Sequence, residues 1–392
     1  MIVAHGVGSS ADLPLPLDLV LQAGAATVVL SFLIAAFWWR RPRLSSRIVR
    51  RVPAGKLRWP VLILALYVLV NAFLGPPSGT NPAAHALFVW LWVGLVLISV
   101  VFGPVWRAVN PLRTLFALLR LPRRGLRPLA PRPLGSALDS WPAAAFLLLF
   151  VWFELVAPHH GDPVTVGAFI LGYAVTQLAC ATVRGEDWFA RGDCFEVYSD
   201  LAGRLSPRVF AFSGVPAGAL GAFLAVWWGS TVFDSASASP AWATFVQRAG
   251  HPDGYATGAL VAICGLVFLA VQRVAGRLDV TASLIPIAVG YTLAHYLSSL
   301  LVEGPRGLLL LVQQWGIADG VTWDVAPVPS VIAGAQIALI LIGHALGVII
   351  AHDQALAESP DRPVLATLAD ELPMVIFMIG CTWAGLFLLF VR

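Results

Sequence analysis

Apolar stretches of roughly 16 to 24 residues recur along the chain, separated by short segments that hold most of its polar and basic positions. A helix rising 1.5 Å per residue needs about 20 such residues to cross a hydrocarbon core about 30 Å thick. Helices also satisfy their own backbone donors and acceptors, which lipid cannot do for them. The pattern predicts spans at 18–39, 60–75, 86–106, 141–157, 164–184, 210–233, 255–273, 282–303, 328–351 and 372–391. The short alternating segments of a membrane barrel are not seen. The expected fold class is all-α: a polytopic transmembrane helix bundle of about ten spans, forming one integral membrane domain over residues 1–392.

Composition agrees with lipid as the solvent. Hydrophobic residues make up 58% of the chain and charged residues 12%, with a mean hydropathy of +0.81; a soluble chain carries about 25% charged residues. The net charge of +4 would suit nucleic acid, but its placement argues against that partner. All but one of the 25 basic residues are Arg, the exception being Lys56, and they crowd into a few short loops. Eight lie in the loop 40–59 and seven in the loop 107–140. Arg184, Arg191, Arg204, Arg208, Arg273, Arg277 and Arg362 join them on the same side, against Arg248, Arg306 and Arg392 on the other. Basic loops stay in the cytoplasm, so both termini are expected outside, with 304–328 as the longest outer loop. Trp38, Trp39, Trp59, Trp106, Trp141 and Trp188 then sit at inner span ends, where amphipathic rings favour the interface.

A repeat is also suggested. Trp59-Pro60 and Gly103-x-x-Trp106 bracket spans 2 and 3, and Trp141-Pro142 and Gly185-x-x-Trp188 bracket spans 4 and 5, both intervals being 47 residues. At the same offset of 82, Pro76 matches Pro158 and Gly79 matches Gly161. Two such units would run parallel, as repeats in some transporters do; generic interfacial Trp and Gly would give the same marks. Each unit is followed by an amphipathic inner segment, Asn110 to Leu121 and Asp193 to Leu205, expected to lie in the interface.

Ionisable residues in lipid are costly and so become candidates for function. His295 on span 8 and His344 on span 9 lie roughly 10–20 Å from the inner ends, with Tyr291 one turn before His295. An imidazole can relay protons, bind a metal or ligate haem; a neutral His bonded between helices is the plainer alternative. Glu154 stands within an apolar run near the outer end of span 4, and Asn71 takes the adjacent repeat position on span 2. These five residues form a candidate proton or substrate path, with His352 and Asp353 at its cytoplasmic end. His5, His85, His159, His160, Asp234 and Glu303 gather near the outer face, together with Asp12 and Asp162. Imidazole plus carboxylate would suit zinc or copper, although HxxxH and HExxH spacings are missing and a solvated rim would look the same. Cys180, Cys194, Cys264 and Cys381 have no CxxC partner and suggest neither disulfides nor a thiolate site. There is no P-loop, GxSxG elbow or dinucleotide fingerprint, so an ion gradient or a partner would have to drive any transport.

Several segments together carry a resemblance: Ala4-His5-Gly6, Asp12-Leu13-Pro14-Leu15-Pro16-Leu17, Trp106-Arg107-x-x-Asn110-Pro111, Thr231-x-Phe233-Asp234, Ala294-His295-Tyr296 and Gly343-His344-x-Leu346 through His352-Asp353. The set resembles a bacterial family of polytopic membrane proteins often labelled fenitrothion hydrolase, over nearly the whole chain. The resemblance implies the bacterial cytoplasmic membrane, and the label implies organophosphate ester hydrolysis without placing a mechanism on residues. Members tend to begin with a cleavable signal that ends near Ala-His-Gly, whereas here only Met1 to Ala4 precede His5. Either the start is misassigned or the first span directs insertion. Cleavage after Ala4 would leave His5 with an amine and an imidazole able to chelate copper together.

The leading expectation is an ion- or proton-coupled permease of a small solute or ion, with the lipid bilayer as its surroundings. The alternatives are a membrane-embedded hydrolase, a redox protein holding haem between His295 and His344 or a bound metal, and an accessory subunit of a membrane complex.

Overall fold

In a computed structural model the chain is described at residues 13, 16–44, 55–126, 141–212, 217–248, 250–275, 281–358 and 364–390, and no strand occurs among them. The helices begin with α1 (Leu17–Trp38) and α2 (Arg58–Leu74). A π-helical run, His85–Gly94, continues as α3 (Leu95–Phe102), and is followed by α4 (Trp106–Val109) and α5 (Pro111–Leu118). Next come α6 (Trp141–Leu155), α7 (Pro163–Arg184), α8 (Phe189–Gly192) and α9 (Cys194–Gly203). Then follow α10 (Ala217–Ser237), α11 (Pro240–Arg248), α12 (Pro252–Ala275) and α13 (Leu284–His295). The chain ends with α14 (Leu297–Gln313), α15 (Pro329–Glu358) and α16 (Val364–Phe390).

Among the described residues six helical segments are long and apolar enough to cross a membrane: Leu17–Trp38, His85–Phe102, Pro163–Arg184, Pro252–Arg273, Pro329–Glu358 and Ala369–Phe390. Their outward faces are apolar as well, with Leu30, Ile34 and Phe37 of α1 at 57%, 54% and 67% exposure. A helix hydrophobic on all sides whose outer face meets no protein is solvated by lipid. The chain therefore has the helices of an integral membrane protein. The span expected at 282–303 is interrupted: α13 stops at His295, Tyr296 leaves helical geometry (φ −97°, ψ 11°), and α14 begins at Leu297.

Contacts divide the chain into two compact units. One holds α2 to α9 with α14, around a core of aromatic rings. Trp92 stacks on Tyr198 at 4.7 Å, Phe153 on Phe169 at 4.2 Å, and Phe150 meets Phe195 edge-on at 5.2 Å. Gly103 (φ 98°) and Gly185 (φ 94°) end α3 and α7 in a backbone conformation that side chains avoid. Each leads through a short turn to a tryptophan, Trp106 or Trp188, and then to a short helix capped by Asn110 or Asp193. Asn110 accepts from the backbone N–H of Leu112, and Asp193 from that of Phe195, which satisfies first-turn donors on α5 and α9.

The other unit holds α1, α10 to α13, α15 and α16. Its tightest crossing, of α13 on α15, is made by glycines. A Cβ added at Gly290 would lie 2.6 Å from the Leu339 carbonyl oxygen, and one at Gly343 2.6 Å from that of Pro286. Small residues let helices approach in this way where the hydrophobic effect gives no drive between them. Gln336 donates to the Ala294 carbonyl (2.9 Å) and Trp227 to the Thr292 hydroxyl (2.8 Å), fixing α15 and α10 against α13. Gly343→Leu forces these backbones apart, and should lower the stability of the detergent-solubilised chain by about 1–3 kcal/mol. A thermal unfolding curve unchanged from wild type would show that the crossing is not close.

Candidate functional site

At the C-terminal end of α10 and the last turn of α13, a chain of polar side chains is enclosed by apolar helices. The His295 imidazole is wholly buried and the Asp234 side chain 13% exposed, with Nε2 2.8 Å from Asp234 Oδ2. The other ring nitrogen, Nδ1, lies 3.2 Å from Ser235 Oγ, which is 3.0 Å from the Tyr291 hydroxyl. Tyr296 donates its hydroxyl to the same Asp234 oxygen at 3.2 Å. The geometry comes from local structure: Asp234 and Ser235 are consecutive on α10 and flank one imidazole, and Tyr291 lies one turn before His295 on the same helix face.

The partners fix the proton positions. A carboxylate only accepts, so Nε2 carries a hydrogen and donates to Asp234. In the neutral ring Nδ1 then accepts from Ser235, whose oxygen in turn accepts from Tyr291. The result is a continuous hydrogen-bonded line, Tyr291 to Ser235 to His295 to Asp234, with only the carboxylate end reaching the surface.

The structure distributes the other candidates among separate places. His344 is buried on α15, with Nδ1 bonded to the Ile340 carbonyl of its own helix (2.8 Å) and Nε2 without a hydrogen-bond partner. It shares no hydrogen bond with His295. His352 lies between Glu371, 3.0 Å from Nδ1, and the Trp39 carbonyl, 3.0 Å from Nε2. Asp353 accepts from the Trp39 indole (2.7 Å) and from the backbone N–H groups of Arg43 (2.6 Å) and Leu44 (3.0 Å). The two residues thus tie the segment after α1 to α15 and α16.

In the other unit Asn71 pairs its amide with Gln314 and meets the Tyr67 hydroxyl, while Glu154 is buried on α6. His85 opens the π-helical run and bonds Glu303 on α14 at 3.0 Å, its Nδ1 having no hydrogen-bond partner. The wide π register places His85 and Trp90 on one face, and a Cβ on Gly307 would lie within 3.0 Å of both side chains. His160 bonds the Ala157 carbonyl (2.8 Å), and His159 is exposed at φ 56°. His5 and Asp12 lie outside the described residues. The outer group therefore separates, with Asp234 on His295 and Glu303 on His85. Among the described residues no three His, Cys, Asp or Glu side chains converge to hold a metal.

One buried network was not foreseen. Asp193, between α8 and α9, accepts from Tyr173 (2.8 Å), Asn110 (2.7 Å), the Trp106 indole (3.4 Å) and the Phe195 backbone. Arg113 grips Glu196 with two bonds of 2.7 Å, and Glu186 adds a further contact. Burial works against the Arg113 charge, but the bond and charge of Glu196, with Glu186 and Asp193 near, outweigh it and raise its pKa. Burial pushes the Asp193 carboxyl up to about 6, with the Glu196 charge adding to it and the donors opposing it. Burial likewise raises the Cys194 thiol, 3.3 Å from the Tyr173 hydroxyl, so it stays protonated. The signal available in the sequence was the pair of helix caps after Trp106 and Trp188.

No family model, curated protein or solved structure matches the chain.

The Asp193 displacement has a testable sign. Between about pH 4 and 6 the folded carboxyl keeps a proton that the unfolded one has lost, so stability falls as pH rises through that window. The effect is on the order of 3 kcal/mol. Unfolding of the detergent-solubilised chain should show this decline, and Asp193→Asn should flatten it; the same slope in both proteins would refute the assignment.

Proposed function

We propose that the protein is a proton-coupled membrane transporter in which the buried Asp234–His295 pair carries the proton. The carrying observation is the enclosed line from Tyr291 through Ser235 and His295 to Asp234. An imidazole bonded on both nitrogens can take a proton at one and release one at the other, which makes it a relay. Enclosure in apolar helices matters, because an intramembrane carboxylate–imidazole pair is costly to keep without a function. The partly exposed Asp234 is the exchange point with water, and His295 the step inward.

The proposal extends to topology. The broken pair α13–α14, the two shorter apolar helices α2 and α6, and α10 join the six long apolar helices to give ten spans, with the Arg-rich segments in the cytoplasm of a bacterium. Spans 2–3 and 4–5 are a parallel duplication. What supports this is the matched sequence of parts: a positive-φ glycine, a tryptophan, a four-residue helix and a capped helix, found at Gly103 to Leu118 and again at Gly185 to Gly203. The cap side chains, Asn110 and Asp193, hydrogen-bond each other.

One observation favours a hydrolase instead: carboxylate, imidazole and hydroxyl in series are also the parts of a nucleophilic triad. Ser235, however, is 2% exposed and already bonded to Tyr291, so an ester carbonyl has no approach to its oxygen. The proton reading therefore accounts for more of the geometry.

In proteoliposomes with an entrapped pH dye and an imposed potassium diffusion potential, wild-type protein should take up protons well above empty vesicles. Asp234→Asn and His295→Gln should each lower that uptake about tenfold or more. Wild-type vesicles no faster than empty ones, or variants as fast as wild type, would sink the proposal. Phosphotriester hydrolysis lost in Ser235→Ala would decide for the hydrolase.

A further inference from the structure

A cavity of about 750 Å³ opens on the unit built from α2 to α9 and α14, far from any residue of the proton line in sequence. Its long wall is α2, from Leu57 to Val68, a run of about 16 Å at helical rise. Ile98 and Phe102 of α3 and Ile170 of α7 face it across the gap. Leu57, Leu64, Ile98 and Phe102 all remain substantially exposed, so the walls are unfilled by protein and open on the side where lipid lies.

The two ends differ. At the floor Trp106, Tyr173 and Asp193 contribute polar atoms, but these are engaged with one another and offer no site for a charged group. At the mouth is Arg208, its guanidinium 5.1 Å over the Phe102 ring. Gly55 and Leu57 also line the mouth, which brings Lys56 and Arg58 beside it. Among the described residues no carboxylate pairs with Lys56, Arg58 or Arg208, whereas Arg107, Arg113, Arg123 and Arg204 all have one. The cavity thus has a long apolar trough, a floor whose polar atoms are hydrogen-bonded to one another, and uncompensated positive charge at its opening.

We propose that this cavity is a binding site for an anionic phospholipid, one acyl chain lying along α2 and the phosphate held at the mouth by Arg208 with Lys56 and Arg58. Charge complementarity selects the headgroup, since each basic residue near an anionic lipid surface adds about a fivefold preference. The trough selects for a chain, because a free phosphate would leave the apolar walls uncovered. A zwitterionic lipid fills the trough equally well but gains nothing at the mouth. The site is independent of the proton-carrying pair.

Native mass spectrometry of the full chain in detergent, offered equimolar dioleoyl phosphatidylglycerol and dioleoyl phosphatidylcholine, tests it. Wild type should retain phosphatidylglycerol about fivefold or more over phosphatidylcholine. Arg208→Ala should lower that preference about fivefold without lowering phosphatidylcholine retention, and Ala65→Trp, which fills the trough, should reduce both. Equal retention by wild type, or an unaltered preference in Arg208→Ala, overturns the proposal. So does an Ala65→Trp protein that unfolds at the wild-type temperature and binds both lipids undiminished. Arg208→Ala changes a cation at the rim and carries the test alone if Ala65→Trp does not fold.

Discussion

A polar group surrounded by hydrocarbon must find its partner within the chain, because no water is at hand to supply one. That constraint explains why the polar residues of this protein occur in pairs and short lines. His295 has Asp234 and Ser235, His352 has Glu371 and a backbone carbonyl, His85 has Glu303, and Asn71 has Gln314. The packing follows from the same source. With lipid as apolar as leucine, helices are brought together by close backbone approach and buried hydrogen bonds. Hence Gly290 and Gly343 at the α13–α15 crossing, and the Trp227 and Gln336 bonds that hold α10 and α15 on α13.

Much of the architecture was legible in the sequence for this reason. Apolar runs of sufficient length have one stable form in lipid, so helix type and approximate position follow from hydropathy. The break at Tyr296 did not, because Leu297, Leu300 and Leu301 continue the apolar pattern and nothing local forbids a helix there. What marks the stop is tertiary: the Tyr296 hydroxyl reaches back to Asp234 on α10, a residue 62 positions earlier. The π-helical register at His85 is hidden for a similar reason, being visible only against Gly304 and Gly307.

The candidate residues were legible one at a time, and their grouping was not. His295 and Tyr291 stood out as polar positions on an apolar span, while Asp234 read as an outer-rim carboxylate suited to a metal. Helix α10 carries Asp234 onto His295 instead, and Ser235 with it. Sequence spacing could not show this, since α10 and α13 are separated by α11 and α12. His295 and His344 are each bonded within their own surroundings. The cap pair Asn110 and Asp193 is the reverse case. Each begins an amphipathic segment in the sequence, and the structure adds that they touch.

The proton-carrying reading also accounts for the second tyrosine. With Asp234 ionised and His295 neutral, the pair holds one negative charge; with one proton added, on either residue, it holds none. Hydrocarbon tolerates the loaded form far better than the empty one. The empty form therefore needs a partner for its carboxylate besides the imidazole. Tyr296 supplies this, donating to the same oxygen that His295 bonds, and the remaining surface of Asp234 admits water. The proposed carrier thus sets one buried imidazole against one acid that is 13% exposed and held by a phenol donor.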